Sequence, residues 1–118
     1  MVQRHHSNAR MSQIVTYPAS GTAIVLSGLV ADDLAGDVKQ QTAEVLAKID
    51  SLLAEAGTDK TQVTHVYVWL PDITDFDAMN SVYDAWVAPG HQPARACVEA
   101  RLANPRLKVE IQAFAIKP

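Results

Sequence analysis

The sequence is short of the features that mark disulfide-bonded, membrane-spanning or secreted proteins. Cys97 is the only cysteine among 118 residues, so neither an internal disulfide nor a cysteine-based zinc site can form within the chain. The apolar stretches are far too short to cross a bilayer, and residues 1–12 contain no apolar signal segment. We therefore expect a cytoplasmic protein with no membrane partner.

Charge of one sign is also scarce. Ten Lys and Arg residues oppose thirteen Asp and Glu residues, for a net charge of -3, and no run of like charge occurs. Binding to nucleic-acid phosphates relies on clustered cations, so we expect no nucleic-acid partner. His5 and His6 are adjacent, which is poor spacing for one metal, and no carboxylates accompany them. We expect no metal site, and a frayed arm at residues 1–12.

What the sequence does contain is the apolar content of one globular domain. Hydrophobic residues make up 48% of the chain, and no repeat or low-complexity linker interrupts it. We expect a single domain over residues 13–118. A domain of this size buries only about two-thirds of the surface that its unfolded chain exposes, which makes oligomerisation a natural way to bury more.

Hydrophobic periodicity predicts the elements of the first half. Residues 13–17 and 24–29 are strand candidates separated by a turn signal, which indicates a hairpin. Residues 38–56 carry apolar side chains at the spacing of one buried helical stripe. Asp37 can cap the start of this helix, and Gly57 suits the residue just past its end.

Residues 63–70 predict a strand with two contrasting faces. One face is aliphatic, and the other carries His65, Tyr67 and Trp69. Such a row of large amphipathic rings is better explained by an interface or a pocket than by open water. An ordinary half-exposed strand is the alternative.

The remaining pattern completes an α+β fold. Residues 76–86 predict a second helix, and residues 96–102 and 108–116 predict two strands joined by a turn. The order strand, strand, helix, strand, helix, strand, strand favours one sheet with both helices on its aliphatic face. The opposite face is predicted to carry His65, Tyr67, Trp69, Cys97, Glu99, Arg101, Glu110 and Gln112.

Two residues of the last strands are candidates for chemistry. Arg95 has a planar fork that can bind a carboxylate at two points, and Glu110 lies mid-strand, where a carboxylate is unusual. A surface ion pair is the alternative for each. If the last two strands form a hairpin, Arg95 faces Phe114 and Glu110 faces Glu99. Arg95 and Glu110 are then four strand positions apart, about 13 Å along the strands. They would then flank a small ligand or meet from neighbouring subunits. Cys97 is better explained by packing than as a nucleophile.

The same segments resemble the Rid (RidA/YjgF) family of reactive intermediate deaminases. The matching segments are GTAIVLSG at residues 21–28, AEAG at 54–57, DITDFDAMNSVYDAW at 72–86, PARACVE at 93–99 and KVEIQAFA at 108–115. They cover about residues 21–116, and PAR with CVE, followed by VEI, is the most specific of them. The resemblance implies a chorismate-mutase-like β-β-α-β-α-β-β fold, assembled as a homotrimer with small-molecule pockets between subunits.

The resemblance also implies an activity: hydrolysis of small 2-imino and 2-enamino acids, such as the 2-aminoacrylate/2-iminopropanoate pair, to 2-keto acids and ammonia without a cofactor. Arg95 matches the arginine that binds the substrate carboxylate, and Glu110 matches the carboxylate thought to position or activate water. Pocket-lining positions of the family are matched by Ser27, Gly28, Asn80 and Cys97.

The N-terminal segment departs from the family pattern. Enzymatic members carry a tyrosine there, and Tyr17 lies too close to Ser27 in the chain to match it. Arg10, Met11 and Ser12 are then the candidates for that wall of the pocket. The unmatched tyrosine favours an alternative, a non-catalytic trimeric binding or regulatory protein for 2-keto acids or similar metabolites, whereas the arginine and glutamate above favour catalysis.

Overall fold

The computed structural model describes residues 2–118, which form an α+β fold. The strands are β1 (Gln3–Ser7), β2 (Ser12–Thr16), β3 (Thr22–Val25), β4 (Val63–Leu70), β5 (Ala94–Glu99) and β6 (Glu110–Lys117), and the helices are α1 (Val38–Glu55) and α2 (Phe76–Trp86). The predictions for both helices and for β4 are confirmed. Asp37 caps α1 as expected, and Gly57 follows it with a φ of 84°.

Four strands form one mixed sheet in the order β3-β6-β4-β5. β6 runs antiparallel to both of its neighbours, and β4 and β5 run parallel. β1 and β2 form a separate two-stranded antiparallel sheet. No helix among residues 2–118 combines the length and apolar character needed to span a membrane.

The N-terminal segment differs from the prediction in two respects. The expected hairpin between residues 13–17 and 24–29 is wrong, because β2 pairs back with β1 and β3 pairs with β6. The tight turn lies earlier, where the Asn8 side chain accepts hydrogen bonds from the backbone N–H groups of Arg10 and Met11. The frayed arm is therefore also wrong for Gln3–Ser7, and the expected domain boundary at residue 12 falls inside this hairpin.

Arg4 attaches this N-terminal hairpin to the main sheet. Its guanidinium donates to the carbonyl oxygens of Gln92, Thr61 and Val63 at 2.8, 2.9 and 2.9 Å. Ser12 adds a second attachment, since its buried hydroxyl donates to the Gln92 carbonyl at 2.6 Å. These contacts fix the residues that follow β1 beside the start of β5.

The last two strands do not form the predicted hairpin. β5 pairs only with β4 and lies at the sheet edge, whereas β6 lies between β3 and β4. Arg95 is therefore not opposite Phe114, nor Glu110 opposite Glu99. Burial explains the order, because alternate residues of β6 are fully buried while β5 is half-buried or exposed throughout. The more apolar strand takes the central position.

Both helices cover one face of the sheet. The core between them is formed by side chains that include Val45, Ile49 and Leu53 of α1, Met79 and Tyr83 of α2, Val66, Val68 and Leu70 of β4, and Ile111 and Ala113 of β6. This arrangement of two helices on one sheet face is the predicted one. The other face is open in the single chain.

The composition of the open face requires a correction. His65, Tyr67 and Trp69 lie there as predicted, with Glu110, Gln112 and Phe114 opposite them on β6. Cys97, Glu99 and Arg101 do not. Cys97 packs against the core, Glu99 accepts a hydrogen bond from the Ile73 N–H beside α2, and Arg101 lies beyond β5. Ala96 and Val98 occupy the open-face positions beside Tyr67 and Trp69.

Candidate functional site

Helix α2 presents three side chains to Arg95. Phe76, Asn80 and Tyr83 are four and three residues apart, so they share one helix face. The Arg95 Nη1 group donates to Asn80 Oδ1 at 2.7 Å. Its Cζ atom lies 4.6 Å from the centre of the Tyr83 ring and 5.9 Å from that of Phe76. Arg95 therefore lies on the helix side of the sheet, enclosed by α2.

The Arg95 guanidinium lacks an anionic partner among residues 2–118, since Asn80 is the one side chain that accepts from it there. Burial lowers the pKa of Arg95, which reports the cost of desolvating its charge. The Asn80 Nδ2 donor and the Tyr83 hydroxyl are also buried without a hydrogen-bond partner among the described residues. Unused donors beside a half-buried cation suit an anion with oxygen acceptors.

Arg10 forms the rim of this cluster. Its Nε and Nη2 groups donate to the two carboxylate oxygens of Asp84, both at 2.9 Å, and its Cζ atom lies 5.5 Å from the centre of the Phe76 ring. The hydrogen bond from Arg10 lowers the pKa of Asp84. Of the N-terminal candidates for a pocket wall, Arg10 thus lies beside the same ring as Arg95, whereas Ser12 is buried as an attachment of the hairpin.

Cys97 lies two residues beyond Arg95 on the same side of β5. The thiol is half-buried, and burial raises its pKa while the nearby charge of Arg95 lowers it in part. Because the raised pKa keeps the thiol protonated at neutral pH, Cys97 is suited to lining a pocket rather than to nucleophilic attack.

A second cluster forms where the segment after β3 bulges. Leu26 N–H donates to the Ala113 carbonyl at 3.1 Å, and Leu29 and Ile111 exchange backbone hydrogen bonds of 2.8 and 3.1 Å. The segment thus takes three steps from Leu26 to Leu29 while β6 takes two, which leaves residues 27–28 as a β-bulge. Bulges of this kind re-aim side chains and are common beside active sites.

The bulge makes room for Glu110. A Cβ atom on Gly28 would lie 2.1 Å from Glu110 Oε2, so only glycine permits the carboxylate to lie where it does. Ser27 is exposed next to it. Glu110 is half-buried on the open face opposite Trp69, and its carboxylate has no hydrogen bond or ion pair with any residue of the described part of the chain.

One chain does not bring the two clusters together. Arg95 is level with Val66 of β4, and Glu110 is level with Trp69. The separation is three residues along the strands and two strands across, roughly 10 Å in each direction. The two side chains also point to opposite faces of the sheet. A ligand that contacts both must receive one of them from a second chain.

Two surface grooves of the single chain lie away from both clusters. One, of about 470 Å³, lies between α1 and the segment at Leu29 and Asp32, and another, of about 490 Å³, lies beside Gln62 and His91. Neither is lined by Arg95 or Glu110. Among residues 2–118, no group of three or more His, Cys, Asp or Glu side chains is placed to share a metal ion.

The sequence alone did not single out Phe76 and Tyr83. Both lie in the predicted second helix, at i and i+7 with Asn80 at i+4. Their spacing places them on one helix face, but it identifies them as neighbours of Arg95 only once the face of the sheet that carries Arg95 is known. The assignments of Arg95, Glu110, Asn80, Ser27, Gly28 and Cys97 to a shared pocket remain predictions.

Comparison with known proteins gives a consistent result. The family model described as Endoribonuclease L-PSP matches residues 1–117. A RutC family protein of Haemophilus ducreyi is 42% identical over 111 residues, which are 94% of this chain and 92% of that protein. The RutC family protein YoaB of Escherichia coli is 39% identical over 114 residues, 97% of this chain and 96% of YoaB.

A solved structure agrees in fold. The crystal structure of a YjgF family member from Neisseria meningitidis is 46% identical, with a TM-score of 0.79, and the match covers 100% of this chain and 96% of that one. Sequence and fold thus match over nearly the full described length, and the chain belongs to the YjgF/Rid family, which the family model calls Endoribonuclease L-PSP.

Proposed function

We propose that the protein hydrolyses small 2-imino and 2-enamino acids, such as the 2-aminoacrylate/2-iminopropanoate pair, to 2-keto acids and ammonia. The observation that carries the proposal is Arg95, an enclosed cation without an anionic partner in residues 2–118, beside the unused Asn80 Nδ2 donor. A substrate carboxylate supplies the acceptors that this cluster lacks. Membership of the YjgF/Rid family supports a pocket of this kind.

The proposed chemistry needs little from the protein, because an imine carbon is already electrophilic. Arg95 and Asn80 bind the carboxylate and orient the imine. Glu110 accepts a proton from water as the water oxygen bonds to the carbon of the protonated imine, which becomes a neutral carbinolamine. Protonated Glu110 then returns its proton to the amino group of the carbinolamine. As the C–N bond breaks, the carbinolamine hydroxyl gives its proton to Glu110 and becomes the keto group, and the departing ammonia takes that proton and leaves as ammonium.

The proposed assembly is a homotrimer with each site between two subunits. Arg95 and Glu110 point to opposite faces of one sheet, so the second chain must supply the missing group. The open face fits burial against another copy, since Tyr67 is 40% and Val98 50% exposed in the single chain. Contiguous exposed apolar surface of this kind is typical of an interface.

The direct test supplies enzymatically generated 2-aminoacrylate and follows release of the 2-keto acid pyruvate. Turnover above the buffer rate is expected, with Glu110→Gln reduced to near the buffer rate. A rate equal to buffer, together with calorimetric binding of 2-ketobutyrate, would replace the hydrolase with a non-catalytic binding protein. Incubation with RNA is the parallel assay for the activity named in the family description, and the net charge of -3 leads us to expect no cleavage.

A mixing experiment tests the shared site. Arg95→Ala and Glu110→Gln are each expected to be inactive. Co-expressed with different tags and purified through both tags as mixed assemblies, they should regain activity at about one site in three, because each mixed cyclic trimer contains a single intact pair. Mixed assemblies as inactive as the parents would refute a site built from two chains.

A further inference from the structure

Tyr83 is the aromatic residue closest to the Arg95 charge. Its side chain is fully buried in α2, and the Arg95 Cζ atom lies 4.6 Å from its ring centre. Resting on the proposed function, we propose that Tyr83 is a positioning residue: its ring fixes the plane of the Arg95 guanidinium so that the unused N–H groups face the substrate carboxylate.

The contacts around Arg95 explain why a ring is needed. The hydrogen bond from Nη1 to Asn80 fixes one corner of the guanidinium but leaves rotation about that bond. An aromatic face within about 6 Å of a cation attracts it through the ring quadrupole, most strongly where water is excluded. The Tyr83 ring meets this condition at full burial, whereas Phe76 is half-buried and 5.9 Å away.

The ring, rather than the hydroxyl, carries this role. The hydroxyl is buried with no partner among the described residues, and burial raises the pKa of Tyr83, so the group stays neutral and does not act as a base. Phenylalanine at this position would keep the ring over Arg95. Methionine or leucine would fill most of the space without an aromatic face.

The test measures carboxylate binding apart from chemistry. Calorimetry with 2-ketobutyrate, a product of the proposed reaction, gives Kd, and turnover gives kcat and KM. Tyr83→Met is expected to raise Kd and KM about tenfold, the order of a desolvated cation–π contact. Since carboxylate binding is equal in ground and transition states, kcat should change much less. Tyr83→Phe should keep most of the affinity.

Two controls separate positioning from stability. Val45→Ala truncates a fully buried side chain of α1, so it should lower Tm and leave Kd intact. In an Arg95→Lys background the effect of Tyr83→Met should vanish, because the planar group on which the ring acts is gone. Tyr83→Leu is a second ring-free variant should the methionine variant not fold.

The outcomes are distinct. If the unaltered protein releases pyruvate from 2-aminoacrylate and binds 2-ketobutyrate, and Tyr83→Met or Tyr83→Leu binds 2-ketobutyrate equally well, Tyr83 does not position Arg95 and the proposed function stands. An effect of Tyr83→Met that persists in the Arg95→Lys background would likewise overturn the positioning role. If the unaltered protein neither binds 2-ketobutyrate nor releases pyruvate from 2-aminoacrylate, both the function and the inference fail.

Discussion

Replacing Arg95 with lysine is the sharpest test of the candidate site. Lysine keeps the positive charge but loses the planar fork that binds a carboxylate at two points. A charge-assisted hydrogen bond contributes about 1.5 to 3 kcal/mol. Its loss corresponds to a decrease in kcat/KM of about ten- to a hundredfold, at 1.4 kcal/mol for each factor of ten. Arg95→Ala should lose more, because no cation then meets the substrate carboxylate.

Stability should respond differently from activity. Arg95 makes one side-chain hydrogen bond and two ring contacts but no ion pair within residues 2–118, and burial lowers its pKa. These contributions oppose one another, so the free energy of unfolding should change by less than about 1 kcal/mol in Arg95→Lys.

The assay measures pyruvate release and urea denaturation on the same preparation. Arg106→Lys is the matched control, since Arg106 is exposed in a turn and should alter neither quantity. A lysine variant at position 95 that unfolds at much lower urea yet keeps its kcat/KM would show that Arg95 is a structural residue, and the reasoning from its missing partner would be refuted.

Three further predictions concern the bulge, the open face and the rim. Gly28→Ala should abolish most activity with little change in urea midpoint, because the new Cβ would lie 2.1 Å from Glu110 Oε2 and displace the carboxylate; unchanged turnover would contradict this. Val98→Asp should convert the proposed trimer to monomers in light scattering, since it places a charge on the face proposed to be buried; a variant that still forms trimers would exclude that face. The pKa of Asp84 is lowered by the hydrogen bond from Arg10, so the unfolded state binds the proton more tightly. The Asp84 carboxylate therefore stabilises the folded state fully above the ordinary Asp pKa of about 4, and this contribution is lost as pH falls through the lowered pKa. The urea midpoint should therefore depend less steeply on pH in Asp84→Asn than in the unaltered protein. An equal dependence on pH would argue against a stabilising Arg10–Asp84 pair.

Local elements could be predicted because each depends on one periodicity. The bounds of β4 and of α2 follow from alternation and from helical spacing, and Asp37 and Gly57 mark the ends of α1. Strand partners depend on contacts distant in sequence. A short turn after β5 suggested a hairpin, but β6 buries more apolar surface and takes the central position, which leaves β5 at the edge.

The same limit explains the errors around the candidate site. Ala96 and Val98 are apolar, so alternation assigned them to the helix side, yet they lie on the open face. If another subunit covers that face, both sides of β5 are apolar, and alternation no longer shows which side chains lie on the helix side of the sheet. Because Cys97 was assigned to the open face, alternation gave no reason to expect Arg95, two residues earlier, to contact Tyr83 on the helix side. The resemblance had nevertheless named Arg95 and Glu110 as site residues.

The extra residue between Leu26 and Leu29 shapes the candidate site but is not needed for the pairing of the strands. Deleting one residue at positions 27–28 would restore a regular ladder from Leu26 to Leu29 against Ala113 and Ile111, so the fold would survive. The space that accommodates the Glu110 carboxylate would be lost. If Glu110 activates water as proposed, the length of this segment decides turnover without deciding the fold, and a chain one residue shorter there would keep the architecture and lose the activity.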